Sequence, residues 1–339
     1  MLQRVRQTMR PDAYHGDGWA APFFEGWYFK LVDRARDRRI AIIPGVYRGV
    51  DPSESHAFIQ VFDGTSREAH YIRYPLADFH ASSTELAVRI GESRFSTRGL
   101  ELAIETPELV ARGAIDFGTL SPWPVRVAAP GIMGWYAWVP LMECYHGVVS
   151  LDHSLSGRLD ISGRSMDFTD GYGYIEKDWG RSFPTCWVWT QTNHLVDARG
   201  TRIEGASLTA SIAEIPWRSR TFPGFIVGLL FEGTLYRFAT YNYARVTWLE
   251  VTDDEVIWRM RRGSLELDLT IKRAQPTTLP GPTIAGMKRE VHETLDARVE
   301  LVLRRRRGRS YEPLLRAEGH AAGLEVQGPV ERLFRRARP

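Results

Sequence analysis

Residues 171–194 read GYGYIEKDWGRSFPTCWVWTQTNH, and two features of this stretch decide the fold. Tyr172, Tyr174, Ile175, Trp187, Val188 and Trp189 fall in two short runs of β-branched and aromatic residues, punctuated by glycine and proline. Such runs form strands rather than helices. The stretch also sets Glu176, Lys177 and Asp178 among three tryptophans and two tyrosines. Charged groups beside apolar surface are costly unless they are paired or used.

The same pattern continues in both directions. Candidate strands lie at 23–32, 39–47, 56–62, 69–74, 85–90, 100–105 and 109–116, and a second series runs from 143–151 and 156–161 to 311–318. Turn signals separate them at Asp63-Gly64, Arg199-Gly200, Glu232-Gly233, Arg262-Gly263 and Arg307-Gly308. This spacing predicts an all-β chain of antiparallel sandwiches or barrels with few short helices. A helical period occurs only in the tail, where Val330, Leu333, Phe334 and Ala337 follow Gly328-Pro329. That spacing predicts a short amphipathic helix.

Residues 118–142 carry four prolines and three tryptophans and predict a long irregular crossing segment. A loop of that length in a compact domain is commonly functional. The expected organisation is a β domain over 1–180, a second over 181–325 and a short helical basic tail over 326–339. A weak internal echo pairs Phe23, Trp27 and Phe29 with Phe183, Trp187 and Trp189 at the same spacing.

Composition narrows the function classes. The 339 residues are 43% hydrophobic and 25% charged, which describes an ordinary globular chain. The net charge of +3 gives no reason to expect a nucleic-acid partner. Two cysteines, Cys144 and Cys186, cannot build a disulfide framework, so a reduced, cytoplasmic setting is the default. No signal peptide or spanning segment is legible. Eleven tryptophans suggest aromatic-lined pockets. The basic run RRRRGR at 304–309 reads as a solvated hairpin tip, although with the basic tail it leaves peripheral contact with an anionic membrane open. No dinucleotide, phosphate-loop, zinc-protease or serine-hydrolase motif is present. Asp152 and His153 are chain neighbours that a strand points apart. Neither a metal nor any other cofactor is signalled.

Strand alternation sorts the candidate residues. Tyr172, Tyr174, Glu176 and Asp178 share one face, and Ile175 and Lys177 the other. Cys144, His146 and Val148 share a face, with Tyr145 opposite. Trp187, Trp189, Gln191 and Asn193 share a face that suits either a ligand pocket or a plain core backed by solvated amides. His146 reads either as a core histidine or as a partner of Glu176. Glu176 reads either as an acid raised by aromatic desolvation or as half of a surface pair with Lys177, and Asp178 has the same alternative with Arg181. In FFEGWYFK, residues 23–30, Glu25 falls on the Phe23, Trp27 and Phe29 face, as a pocket group or the partner of a buried Arg.

FFEGWYFK, the segment MECYHGVVSLDHSLSG at 142–157 and the run GYGYIEKDWG together resemble the tocopherol cyclase family. Asp178 stands where that family most often has Asn. The resemblance implies two lipocalin-like β domains packed together, related to carotenoid hydratases. It also implies a cofactor-independent enzyme that protonates an isoprenoid alkene so that a phenol oxygen closes a ring. Its partner is then a lipophilic small molecule. Addition of water, or a non-catalytic carrier of a hydrophobic ligand, is the alternative. By resemblance to the hydratase pattern G-Y-x-(D/E), the acid role falls to Glu176, with Tyr174 beside it, His146 as orienting or relay group and Asp178 as second-choice acid. Glu25, Trp27, Trp187, Trp189, Gln191 and Asn193 become the pocket candidates.

Overall fold

The computed structural model describes residues 2–140, 142–217 and 220–334. Strands dominate it, as the alternation predicts. The chain forms two units: one runs up to Phe183 and takes back Thr278–Val291, and the other comprises Pro184–Thr277 and the residues from His292 onward. Among the described residues no helix is long and apolar enough to cross a membrane.

The first unit is organised on a twelve-stranded sheet. Three adjacent strands at its centre carry the sequence motifs: Phe23–Val32 pairs with Tyr172–Gly180, which pairs with Cys144–Ile161, all antiparallel. Arg39–Arg48 and His56–Asp63 continue the sheet on one side, and Val110–Phe117 and Gly99–Glu105 on the other. One face of these strands is apolar because every second residue is large and aliphatic or aromatic. Trp27, Phe29, Leu31, Ile40, Ile42, Ile59 and Ile175 are all buried in this core. Burying a side chain of that size stabilises by about 1.5–3 kcal/mol.

The second unit holds an eleven-stranded sheet in which Trp187–Thr192 lies between Ser207–Trp217 and Ser310–Gln327. Its core gathers Cys186, Val188, Leu208, Ile212, Trp258, Leu269 and Leu301. The predicted turn at Arg307-Gly308 is a hairpin closed by pairing of Arg307 with Ser310, and Gly308 takes the left-handed φ of +61°. The basic run therefore sits at a hairpin tip, where Arg307 pairs with Glu312 at 2.7 Å.

Three details differ from the sequence expectation. The segments 143–151 and 156–161 form one strand, Cys144–Ile161, whose register shifts between Val148 and Ser150 and again between Ser150 and His153. Bulges absorb the polar residues that looked like a break. A helix over Leu2–Thr8 is too short to show a helical period. The tail closes in a single 3-10 turn, Val330–Arg332, and the Ala337 part of the expected helix lies outside the described residues. The described residues between 118 and 142 are irregular, as expected, apart from a two-stranded ribbon (Val125–Arg126 with Ala129–Pro130) and a 3-10 segment, Gly134–Trp138.

Candidate active site

Register brings the predicted acid cluster together. His146 stands opposite Asp178 and Val148 opposite Glu176 in the ladder, so His146, Glu176 and Asp178 project from one face. Tyr174, two residues earlier on the same strand, joins them. Its hydroxyl donates to Glu176 Oε2 at 2.5 Å. His146 Nδ1 lies 2.9 Å from Asp178 Oδ1, and its Nε2 lies 3.5 Å from Glu176 Oε2. Tyr174 is fully buried and Glu176 only 5% exposed, so the carboxyl is no surface group.

Electrostatics follow from this arrangement. Burial works against a charge on His146, but the Asp178 and Glu176 carboxylates outweigh it and raise its pKa to about 9. The imidazole is therefore an imidazolium at neutral pH. Because this value lies above the usual 6.5, the contribution to stability is complete below that pH and lost as pH rises through about 9. An NMR titration of the His146 ring is expected to show a midpoint near 9, and a midpoint at or below 6.5 contradicts the pairing. Burial, then the Asp178 charge, pushes the Cys144 thiol well up, which keeps it protonated and unreactive at neutral pH. His146, Glu176 and Asp178 offer three ligand atoms within 4.8 Å of one another. A cation there would have to displace the proton that joins the imidazole to Asp178.

Lys177 does not pair with Glu176. It turns to the opposite face and is fully buried. Its ammonium lies 2.6 Å from Glu25 Oε1, which is also fully buried, and 2.7 Å from His15 Nδ1. It also lies 5.0 Å from the ring centroid of Trp27 and 4.6 Å from that of Trp179. The His15 backbone N–H donates to both Glu25 oxygens. Burial would raise the Glu25 carboxyl, but Lys177 and His15 together hold it below its usual value. Desolvation lowers Lys177 against the pull of Glu25. Glu25 thus partners a buried Lys rather than a buried Arg. Asp178 pairs with His146, and not with Arg181 as in the surface-pair alternative.

The two groups of first-unit candidates consequently lie on opposite faces of one sheet. Glu25 and Trp27 stand opposite Trp179 and Lys177, and Trp27 belongs to the apolar core. On the Glu176 face the strand Phe23–Val32 contributes Tyr28, opposite Glu176, and Lys30, opposite Tyr174. Both are buried, Lys30 completely. The sequence reading missed them. The signal was present in FFEGWYFK, whose Gly26, Tyr28 and Lys30 form its second face, but only the register shows which face meets Glu176.

Trp187, Trp189, Gln191 and Asn193 belong to the second unit, and all are buried. Their strand neighbours Cys186 and Val188 enter that unit's core, so the two tryptophans turn away from it. Trp187 Nε1 donates to Glu325 at 2.5 Å. The Trp189 ring lies so close over Gly323 that a Cβ there would meet it at 2.7 Å. Gly323→Ala is expected to cost about 1–3 kcal/mol in urea denaturation, as overpacking does. An unchanged midpoint would show that the indole can move aside.

A family described as tocopherol cyclase-like matches residues 118–328, more than half of the chain and the part that contains His146, Tyr174, Glu176 and Asp178. Among relatives, "Tocopherol cyclase, chloroplastic" of Zea mays is 26% identical, covering 93% of this chain and 77% of its own. A second relative, from Oryza sativa subsp. japonica, is 25% identical over the same shares. Among solved structures, an AttH-type protein of Nitrosomonas europaea superposes with a TM-score of 0.51 at 14% identity, covering 92% of this chain and 94% of that one. The fold is accordingly lipocalin-like. Kievitone hydratase of Nectria haematococca gives a TM-score of 0.47 at 10% identity, with 95% and 91% covered.

Proposed function

This chain belongs to the tocopherol cyclase-like family, and from that premise we propose that it is an acid-catalysing cyclase acting on a prenylated phenol. The observation that carries the reading is the cluster of two hydrogen-bonded pairs, buried Tyr174 with Glu176 and half-buried His146 with Asp178, brought within 3.5 Å of each other in the family-matched region.

Protonating an unactivated alkene needs an acid held in place and shielded from water. In this reading Glu176 takes up a proton from the His146 imidazolium as the substrate's apolar chain excludes water, since desolvation favours the neutral acid, and delivers it to the less substituted alkene carbon. Tyr174 fixes the carboxyl, and His146, held charged by Asp178, resupplies the proton. The tertiary cation that forms is captured by the phenol oxygen, a C–O bond closes the ring, and the phenolic proton returns to the cluster. No net redox change occurs, so the reaction is an isomerisation. Holding the phenol oxygen beside the cationic carbon is the entropic part of the task. Lys30 and Tyr28, on the Glu176 face, act here as positioning residues.

The test is turnover of a farnesyl-substituted hydroquinone, with the ring-closed product followed by mass spectrometry. A product heavier by one water would assign a hydratase. Saturable binding without any product would assign a carrier. Either outcome would overturn the cyclase reading.

A further inference from the structure

Within the second unit, one end of the sheet gathers arginines. The strand Arg245–Val251 begins where its partner Glu255–Arg262 ends. Leu265–Lys272 begins beside Arg305, and the hairpin closed by Arg307 and Ser310 completes the row. The loop before Arg245, the turn after Arg262 and the turn after Arg307 therefore lie at the same end. Arg245, Arg261, Arg306, Arg307 and Arg309 are exposed there. Half-buried Arg262 belongs to the same group: burial, then the charge of Arg237, lowers its pKa.

The carboxylates at this end are few and already engaged. Asp268 pairs with Arg304, Glu312 pairs with Arg307 at 2.7 Å, and Glu266 accepts the Tyr311 hydroxyl at 2.8 Å. Among the described residues Arg245, Arg261, Arg306 and Arg309 make no ion pair. Arg245 and Arg261 are direct partners in the ladder, where like charges repel. An anion supplied from outside relieves that repulsion. Two rings stand among these charges. Tyr311, opposite Arg306, is 42% exposed, and Tyr243, two residues before Arg245, is 91% exposed. Tyr243 also holds a left-handed φ of +64°, which is uncommon for a bulky residue.

We infer that this end of the second unit docks on an anionic lipid surface, with the arginines against the headgroup phosphates and the Tyr243 ring in the interfacial layer. Guanidinium groups carried on neighbouring turns meet a plane of phosphates together. Each basic side chain held near such a surface strengthens binding about 5-fold. A tyrosine ring suits the interface because its body is apolar and its tip polar. Nucleic acid is favoured less, because it is read by an element that enters a groove or by a basic track lined with rings, and short turns supply neither. The surface holds whether or not Glu176 is the acid.

Co-sedimentation of the full chain with phosphatidylcholine vesicles, with and without about 30% phosphatidylglycerol, tests the inference. The expected result is binding to the anionic vesicles at least about 10-fold tighter than to the neutral ones, and weaker in high salt. The triple variant Arg245→Gln, Arg261→Gln and Arg309→Gln should lose about 100-fold. Tyr243→Gly, which suits the left-handed backbone, should lose several-fold. Arg34→Gln, Arg94→Gln and Arg158→Gln together, on exposed arginines of the first unit, should leave binding unchanged. Equal binding to both vesicles, an equal loss in the two triple variants, or binding of a labelled single-stranded RNA with none to vesicles would overturn it.

Discussion

Glu176→Gln is expected to lower kcat on a farnesyl-substituted hydroquinone by about 10²–10⁴-fold, the usual worth of a positioned general acid. KM should change little, because the amide keeps the volume of the carboxyl and can still accept from Tyr174. The effect is chemical rather than structural. Glu176 is 5% exposed and accepts the Tyr174 hydroxyl at 2.5 Å, so removing its acidity leaves the surrounding strands in place. Tyr174→Phe and His146→Gln should each give smaller losses, since they act through Glu176. The split between kcat and KM separates this account from a merely structural role, which would lower stability and raise KM together. Turnover equal to that of the parent protein would remove Glu176 from the mechanism.

Lys177→Met is expected to cost about 3–5 kcal/mol of stability, because it leaves the Glu25 carboxylate buried without its counter-charge. Both side chains are fully buried, so solvent cannot compensate. The double variant Glu25→Gln with Lys177→Met should recover most of that loss, since it removes both desolvated charges at once. Urea denaturation of the three proteins checks this. Acid behaviour gives a second readout. Glu25 is held below its usual value, so its contribution to stability is present above the unfolded carboxylate range and lost as pH falls through the lowered value. Glu25→Gln should flatten that part of the acid profile. A double variant as unstable as Lys177→Met alone would show that the ammonium acts through Trp27 and Trp179 rather than through Glu25.

Strand alternation in residues 171–178 is enough to put Tyr174, Glu176 and Asp178 on one face, and the structure joins them to His146. What alternation cannot supply is register between distant segments. Whether Glu25 or Tyr28 of FFEGWYFK meets Glu176 depends on a one-residue choice in pairing two strands almost 150 residues apart in the chain, and that choice exchanges the two faces. The same limit hid Lys30, whose burial depends on the partner strand. A surface pair of Glu176 with Lys177 is one of the two readings the sequence leaves open. In a strand, adjacent residues face apart, so the two cannot share a pocket. The Trp27 and Trp187 echo fails for a related reason: equal spacing carries no information about which face is turned to the core. Trp27 enters its unit's core, and Trp187 turns away from its own.

Mass spectrometry of the product formed in D2O tests the central claim most directly. Protonation of the alkene from the Glu176 cluster, which exchanges with solvent, predicts a ring-closed product carrying one deuterium at the carbon that was protonated, in a single configuration. It also predicts that Glu176→Gln forms this product about 10²–10⁴-fold more slowly. A ring-closed product without deuterium at that carbon, or full activity of the Glu176→Gln protein, would contradict it.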